Sequence, residues 1–241
     1  MKSRPTVLVM ASGGGSDAAE IVKYSKTHYP NIDFIGGSDM APGHAGIYGK
    51  LENLGVEVHH FSTDYQSAAL RNFLRQNPNI KLVALAGYRA NVPDDLTGRA
   101  MMTNIHPGIT SPFNGDMSVY KNALESGDRY FGTTVYNMAE KYYSTKPIAQ
   151  IAFERDMWWD LSLLSEVAFA HTHALYAITV AKLVLGSALD IDEIAAEAQN
   201  NITARGLPGT HTIIPVHGAT KFQWFNTKKF SPNYMKKYEA R

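Results

Sequence analysis

Apolar residues in this chain come in short uninterrupted runs, separated by stretches with helical spacing, and the two alternate from the first residues on. Residues 6–11 (TVLVMA) form a continuous apolar run, the pattern of a strand buried on both faces. A turn of three glycines between two serines follows at 12–16, and Asp17 is suited to open a helix. The alternation continues with a strand at 32–36, a helix at 46–54, a strand at 56–61, a helix at 65–76 and a strand at 81–86. Strands alternating with helices at this spacing predict βαβ units and a mostly parallel sheet. A strand at 101–105, a helix near 119–126 and strands at 130–138 and 148–153 come next. The last two are joined by a short link instead of a helix, which predicts an antiparallel pair. Residues 162–185 predict a long amphipathic helix that packs back across the domain. The expected fold is a doubly wound, mostly parallel α/β domain of the Rossmann type over 1–188. A more polar C-terminal extension over 189–241 is expected to act as a lid or an oligomer arm, and a homodimer is compatible with the second role.

Composition changes this picture mainly by exclusion. Over 241 residues, 44% are hydrophobic and 19% charged, with a net charge of +1, so neither a basic nucleic-acid footprint nor an acidic tail is indicated. Lys228, Lys229, Lys236 and Lys237 read as solvated charge. With no cysteine, the chain has no disulfide, no thiolate metal site and no cysteine nucleophile, and a reducing compartment is expected. The apolar run behind Lys2 and Arg4 is too short for a signal sequence or a membrane span. A cytoplasmic chain without membrane contact is therefore expected.

Two places carry candidate chemistry. Gly13, Gly14 and Gly15 lie between a buried strand and a helix, where backbone comes close to a ligand and helix N–H groups face an anion; Ser16 adds a hydroxyl. The same turn also reads as a tight connection that holds nothing. It matches neither the dinucleotide GxGxxG spacing nor a Walker loop, and no ribose-binding acid is evident at the end of the second strand, which argues against a dehydrogenase. The second place is Asn104-Ile105-His106-Pro107 at a strand end. Two residues apart in extended backbone, Asn104 and His106 project from one face. An amide donor beside an imidazole suits a carbonyl that becomes an oxyanion while a proton moves; the alternative is a polar pair that ties down the loop before Pro107. His171 and His173, two apart on a helix, point to different faces and make no metal site, and no metal is expected. Trp158 and Trp159 suit either a pocket wall or the core.

The order of motifs resembles the glycinamide ribonucleotide formyltransferase family. It runs from the Ser12–Ser16 turn through Leu85-Ala86-Gly87-Tyr88-Arg89 and Asn104-Ile105-His106-Pro107 to residues 123–128, Gly132-Thr133-Thr134-Val135 and His173-Ala174-Leu175-Tyr176, so that it covers about 6–188. The resemblance implies transfer of a formyl group from 10-formyltetrahydrofolate, as cosubstrate, to the primary amine of a small phosphorylated or sugar-linked acceptor. It implies that Gly13, Gly14, Gly15 and Ser16 hold a phosphate of that acceptor, that the acceptor passes over Gly115, and that His173 belongs to its site. It places the pterin near Tyr88, Arg89 and Val92 and near the loop after 132–138, where Tyr142 and Tyr143 stand. Asn104 and a protonated His106 would meet the oxyanion, with His106 as general acid or electrostatic stabiliser.

The departures from the family are specific. The family's aspartate partner of the histidine falls at Tyr142 or Tyr143, and the segment from Glu140 to Pro147 holds no Asp; Glu140 is the nearest stand-in. Thr172 takes the place of a glutamate before His173, and Gly108 that of a serine. Hydrolysis of 10-formyltetrahydrofolate, or ligand binding with weak catalysis, are the alternatives.

Overall fold

The computed structural model describes residues 4–62, 66–90, 92, 96, 99–109, 118–138, 147–156, 158–204 and 212–216. They divide into two compact units: those within 1–105, 135–145 and 176–189, and those within 106–134, 146–175 and 190–241.

In the first unit, strands β1 (Thr6–Met10), β2 (Asp33–Ser38), β3 (Val58–His60), β4 (Ile80–Leu85) and β5 (Met101–His106) lie in the order β3-β2-β1-β4-β5. Every pairing is parallel, with Leu8 opposite Ile35 on one side and Val83 on the other. β1 is flanked on both sides, and all five of its residues are buried, which is why its sequence runs apolar without alternation. Helices α1 (Ser16–His28), α2 (Ile47–Glu52) and α3 (Gln66–Gln76) connect the strands. One side of the sheet packs Leu8, Met10, Leu85 and Met102 against Leu70 and Leu74 of α3. Parallel strands joined by helices give the expected doubly wound α/β architecture, in which ligands generally bind outside the carboxyl ends of the strands.

The second unit holds α4 (Ser118–Glu125), most of β6 (Tyr130–Asn137), β7 (Pro147–Glu154), α6 (Ile191–Ala204) and β8 (Ile214–Pro215). β6 and β7 are neighbours, and β8 pairs antiparallel with β7 through Ile151–Pro215 and Ala152–Ile214. The described part of the C-terminal segment is thus α6 and an added strand; residues 217–241 lie outside the described residues. Tyr120, Phe131, Phe153, Trp159 and Leu164 form the core here. Buried Arg155 closes the turn after α4, its Nε donating to the Asp128 carbonyl and its Nη2 to that of Ala123 at 3.3 Å.

One expectation is corrected by α5 (Leu161–Val184). Instead of an amphipathic face, every residue from 170 to 181 except His173 is buried. A helix apolar on all sides is a core helix or a membrane span, and 78% of its most apolar window is buried inside the protein, which favours the core.

Candidate active site

The glycine turn is built from backbone. After β1, the Ala11 N–H donates to the Gly37 carbonyl (3.0 Å) and the Ser12 N–H to the Gly87 carbonyl (3.2 Å). The Ser12 hydroxyl accepts from the Arg89 N–H at 2.7 Å, so the turn and the 87–89 segment are fastened together. Gly15 caps α1 with φ +67, and a Cβ there would lie 2.6 Å from Ile47 Cα; both the conformation and the approach of α2 require glycine. No side chain caps α1, so its first N–H groups keep the partial positive charge that attracts anions. The helix begins at Ser16, one residue before the expected Asp17.

Two neighbours of this turn escaped the sequence reading. Lys50 of α2 sends its Nζ to 3.8 Å from the point where a Gly14 side chain would begin, which adds a mobile cation to the turn. Asp39 follows β2 directly. The sequence ended that strand at 36, but Gly37 and Ser38 still pair with β3, so an acid does stand at the end of the second strand. Its Oδ1 is buried with no hydrogen-bond partner among the described residues. Burial first, then the Asp39 charge, raises the Tyr48 phenol above its ordinary value, and that phenol donates to the Met40 carbonyl at 2.7 Å.

In the 87–92 segment Tyr88 and Val92 are members of the core, and Arg89 is the expected contact whose side chain is exposed. Lower on the same edge, the buried Tyr176 hydroxyl lies 2.9 Å from the Thr103 carbonyl and 3.3 Å from that of Leu85, clamping β4 to β5 just before Asn104. Burial raises this phenol far above its ordinary value, so it stays a neutral donor. Asn104 is partly buried, and its Oδ1 accepts from the Ile105 N–H at 2.8 Å. Only an oxygen can face that N–H, which assigns the amide's oxygen to the backbone and leaves its NH2 as a donor for other groups.

His106 ends β5 and is partly buried. Burial pushes its imidazole down to about 4, so the ring is neutral near pH 7. Among the described residues the surroundings of His106 supply desolvation and no charge that favours the protonated ring implied by the resemblance. The backbone behind it is held by side chains of β6 and β7. Thr133 Oγ1 donates to the His106 carbonyl (3.0 Å), Thr134 Oγ1 to that of Gly108 (2.7 Å) and Gln150 Nε2 to that of Ile109 (3.1 Å).

The remaining candidates fall elsewhere. His173 is partly buried on α5, 6.2 Å from the Phe169 ring, and His171 is a core residue stacked on Phe153 at 4.1 Å. Trp159 is core at 4% exposure, whereas Trp158 is 74% exposed. Gly115, Glu140, Tyr142 and Tyr143 lie outside the described residues.

Residues 6–157, a span that holds the glycine turn, Asn104 and His106, match the family described as formyl transferase. The chain belongs to that family. Among relatives of this formyl transferase is the chloroplastic phosphoribosylglycinamide formyltransferase of Arabidopsis thaliana, 35% identical over 79 residues, or 30% of this chain and 27% of the relative. The trifunctional purine biosynthetic protein adenosine-3 of Drosophila melanogaster is 25% identical over 204 residues, which is 80% of this chain and 15% of the fly protein. The chain thus spans about a quarter or less of the length of these two relatives. Among solved structures, the phosphoribosylglycinamide formyltransferase of Brucella melitensis shares the fold with a TM-score of 0.66 at 23% identity, covering 78% of this chain and 99% of that one. The Streptococcus pneumoniae enzyme of the same name is 26% identical with a TM-score of 0.61, covering 74% and 98%.

Proposed function

We propose that this formyl transferase moves a formyl group from 10-formyltetrahydrofolate to the primary amine of a small, phosphorylated acceptor. The observation that carries the reading is the Asn104–His106 pair at the carboxyl end of β5, an amide whose oxygen is engaged, two residues from a desolvated imidazole. The amine nitrogen adds to the formyl carbon, and the carbonyl electron pair moves onto the oxygen, which the Asn104 Nδ2 meets as a donor. His106, neutral, takes the proton that the new ammonium sheds. The oxyanion collapses, the bond from the formyl carbon to the folate nitrogen breaks, and that nitrogen receives the proton from His106. The products are the formamide and tetrahydrofolate.

The rest of the unit suits a charged acceptor. The start of α1, which no side chain caps, together with Lys50 favours a phosphate at the glycine turn. Tyr142 and Tyr143 are proposed contacts of the folate side, as the resemblance implies, and Glu140 is the proposed stand-in for the family's aspartate partner of His106.

The test is incubation with 10-formyltetrahydrofolate and a panel of phosphorylated and unphosphorylated amines, following tetrahydrofolate release, with His106→Ala as control. Turnover with an amine, lost in His106→Ala, supports transfer. Formate released without any amine assigns the chain to hydrolysis instead. Folate binding without turnover moves it to ligand binding.

A further inference from the structure

Four consecutive residues, His106 to Ile109, leave β5 and turn, and three of their four carbonyls are taken by side chains. Those side chains belong to buried residues of one unit: Thr133, Thr134 and Gln150 are 1%, 0% and 6% exposed. The hydrogens can be followed one by one. The Gln150 amide has two, and it donates to the Ile109 carbonyl at 3.1 Å and to the Thr134 hydroxyl at 2.5 Å. With its oxygen occupied as an acceptor, Thr134 spends its one hydrogen on the Gly108 carbonyl at 2.7 Å. Gln150 therefore sets the direction of the chain of bonds and reaches two residues of the turn, one directly and one through Thr134. Apolar packing acts in the same sense: a Cβ at Gly132 would collide with the Ile109 Cγ2, so the Ile109 side chain fills the space that the glycine leaves. Gln150 is the one uncharged polar residue of β7 (PIAQIAFE).

We propose that Gln150 is a positioning residue for His106, holding the 106–109 turn so that the imidazole keeps its place. It touches neither the ring nor a substrate; it acts through Thr134 and the turn's carbonyls. The proposal rests on His106 being the proton-transfer group of the formyl transfer proposed above, and it is tested with one measurement that needs no turnover.

Gln150→Leu keeps the volume and removes both donors; Thr134→Val and Thr134→Ser serve as companions. The first measurement is the titration of the His106 ring by NMR, with its signal identified as the one missing from His106→Asn. In Gln150→Leu and Thr134→Val the ring is expected to shift in resonance and to titrate closer to the ordinary histidine value, whereas Thr134→Ser, which keeps the hydroxyl, is expected to match the wild type. The second is kinetic: kcat is expected to fall about tenfold or more in both disrupted variants, with KM changed less than about threefold, and the double variant no slower than the worse single one. An unchanged His106 titration in folded Gln150→Leu overturns the proposal, and so does a loss of stability with kcat intact. If Gln150→Leu fails to fold, the Thr134 pair decides by the same criteria. If the wild type transfers no formyl group but the His106 titration moves as stated, the function reading falls and the positioning role stands.

Discussion

A histidine charges or not according to what surrounds it, and at His106 the described surroundings are desolvating. As proton acceptor the ring must be neutral, so activity falls as pH drops through its own pKa. The acidic limb of kcat/KM is expected near pH 4 to 5, well below the 6 to 7 of an ordinary imidazole, and a pH–rate series settles it. A limb near 7 would mean that a carboxylate, with Glu140 the foremost candidate, faces the ring from the segment outside the described residues, and Glu140→Gln would then lower it. At Asn104, Asn104→Ala deletes the oxyanion donor and is expected to lower kcat by about 10²–10³-fold while folate affinity, read by titration, changes little. The sequence offers the two side chains as a pair, because a period of two in a strand end projects them from one face, and both lie partly buried at the end of β5. The charge of His106 was not legible, since it depends on burial that no spacing encodes.

At the scale of the element, the strand runs were easy to read where burial on both faces leaves unbroken apolar sequence, as in β1 and β4. Reading failed where small or polar residues continue a strand. Gly37 and Ser38 carry no apolar signal yet finish β2, which hid Asp39 as a strand-end acid. The strands over 130–138 and 148–153 were read, but not that Thr133, Thr134 and Gln150 within them are hydrogen-bonded to the turn that begins at His106. Two elements invite direct tests. Gly15→Ala forces a side chain into left-handed backbone against Ile47 and is expected to cost about 2 kcal/mol or more by denaturant unfolding, with loss of phosphate binding at the turn. Arg155→Met removes two donors, to the Ala123 carbonyl in α4 and the Asp128 carbonyl after it, and the cation beside buried Asp128, and is expected to cost about 3 kcal/mol in the same assay.

For the whole molecule, the same lowered pKa ties stability to pH. The unfolded chain binds a proton at the ordinary value of 6.5 and the folded His106 at about 4, so between these values the unfolded state holds more protons. Its contribution is complete above 6.5 and is lost as pH falls toward 4, on the order of 2 kcal/mol after discounting for partial exposure. Urea unfolding at several pH values is expected to show this slope in the wild type and a weaker one in His106→Gln. The family, the doubly wound plan and the collinear motifs were legible because they rest on strand runs and glycines. The place of the C-terminal segment was not, since α6 is ordinary and β8 has only two residues.

That short strand has a consequence for how copies of the protein meet. A sheet margin exposes unpaired backbone groups that recruit strands from other molecules, which is a route to fibrils as well as to extended dimers. Here the margin beyond β7 is taken by two residues, and one of them, Pro215, has no N–H to offer an incoming strand. Among the described residues such a margin is a poor template, so strand addition onto β8 is disfavoured.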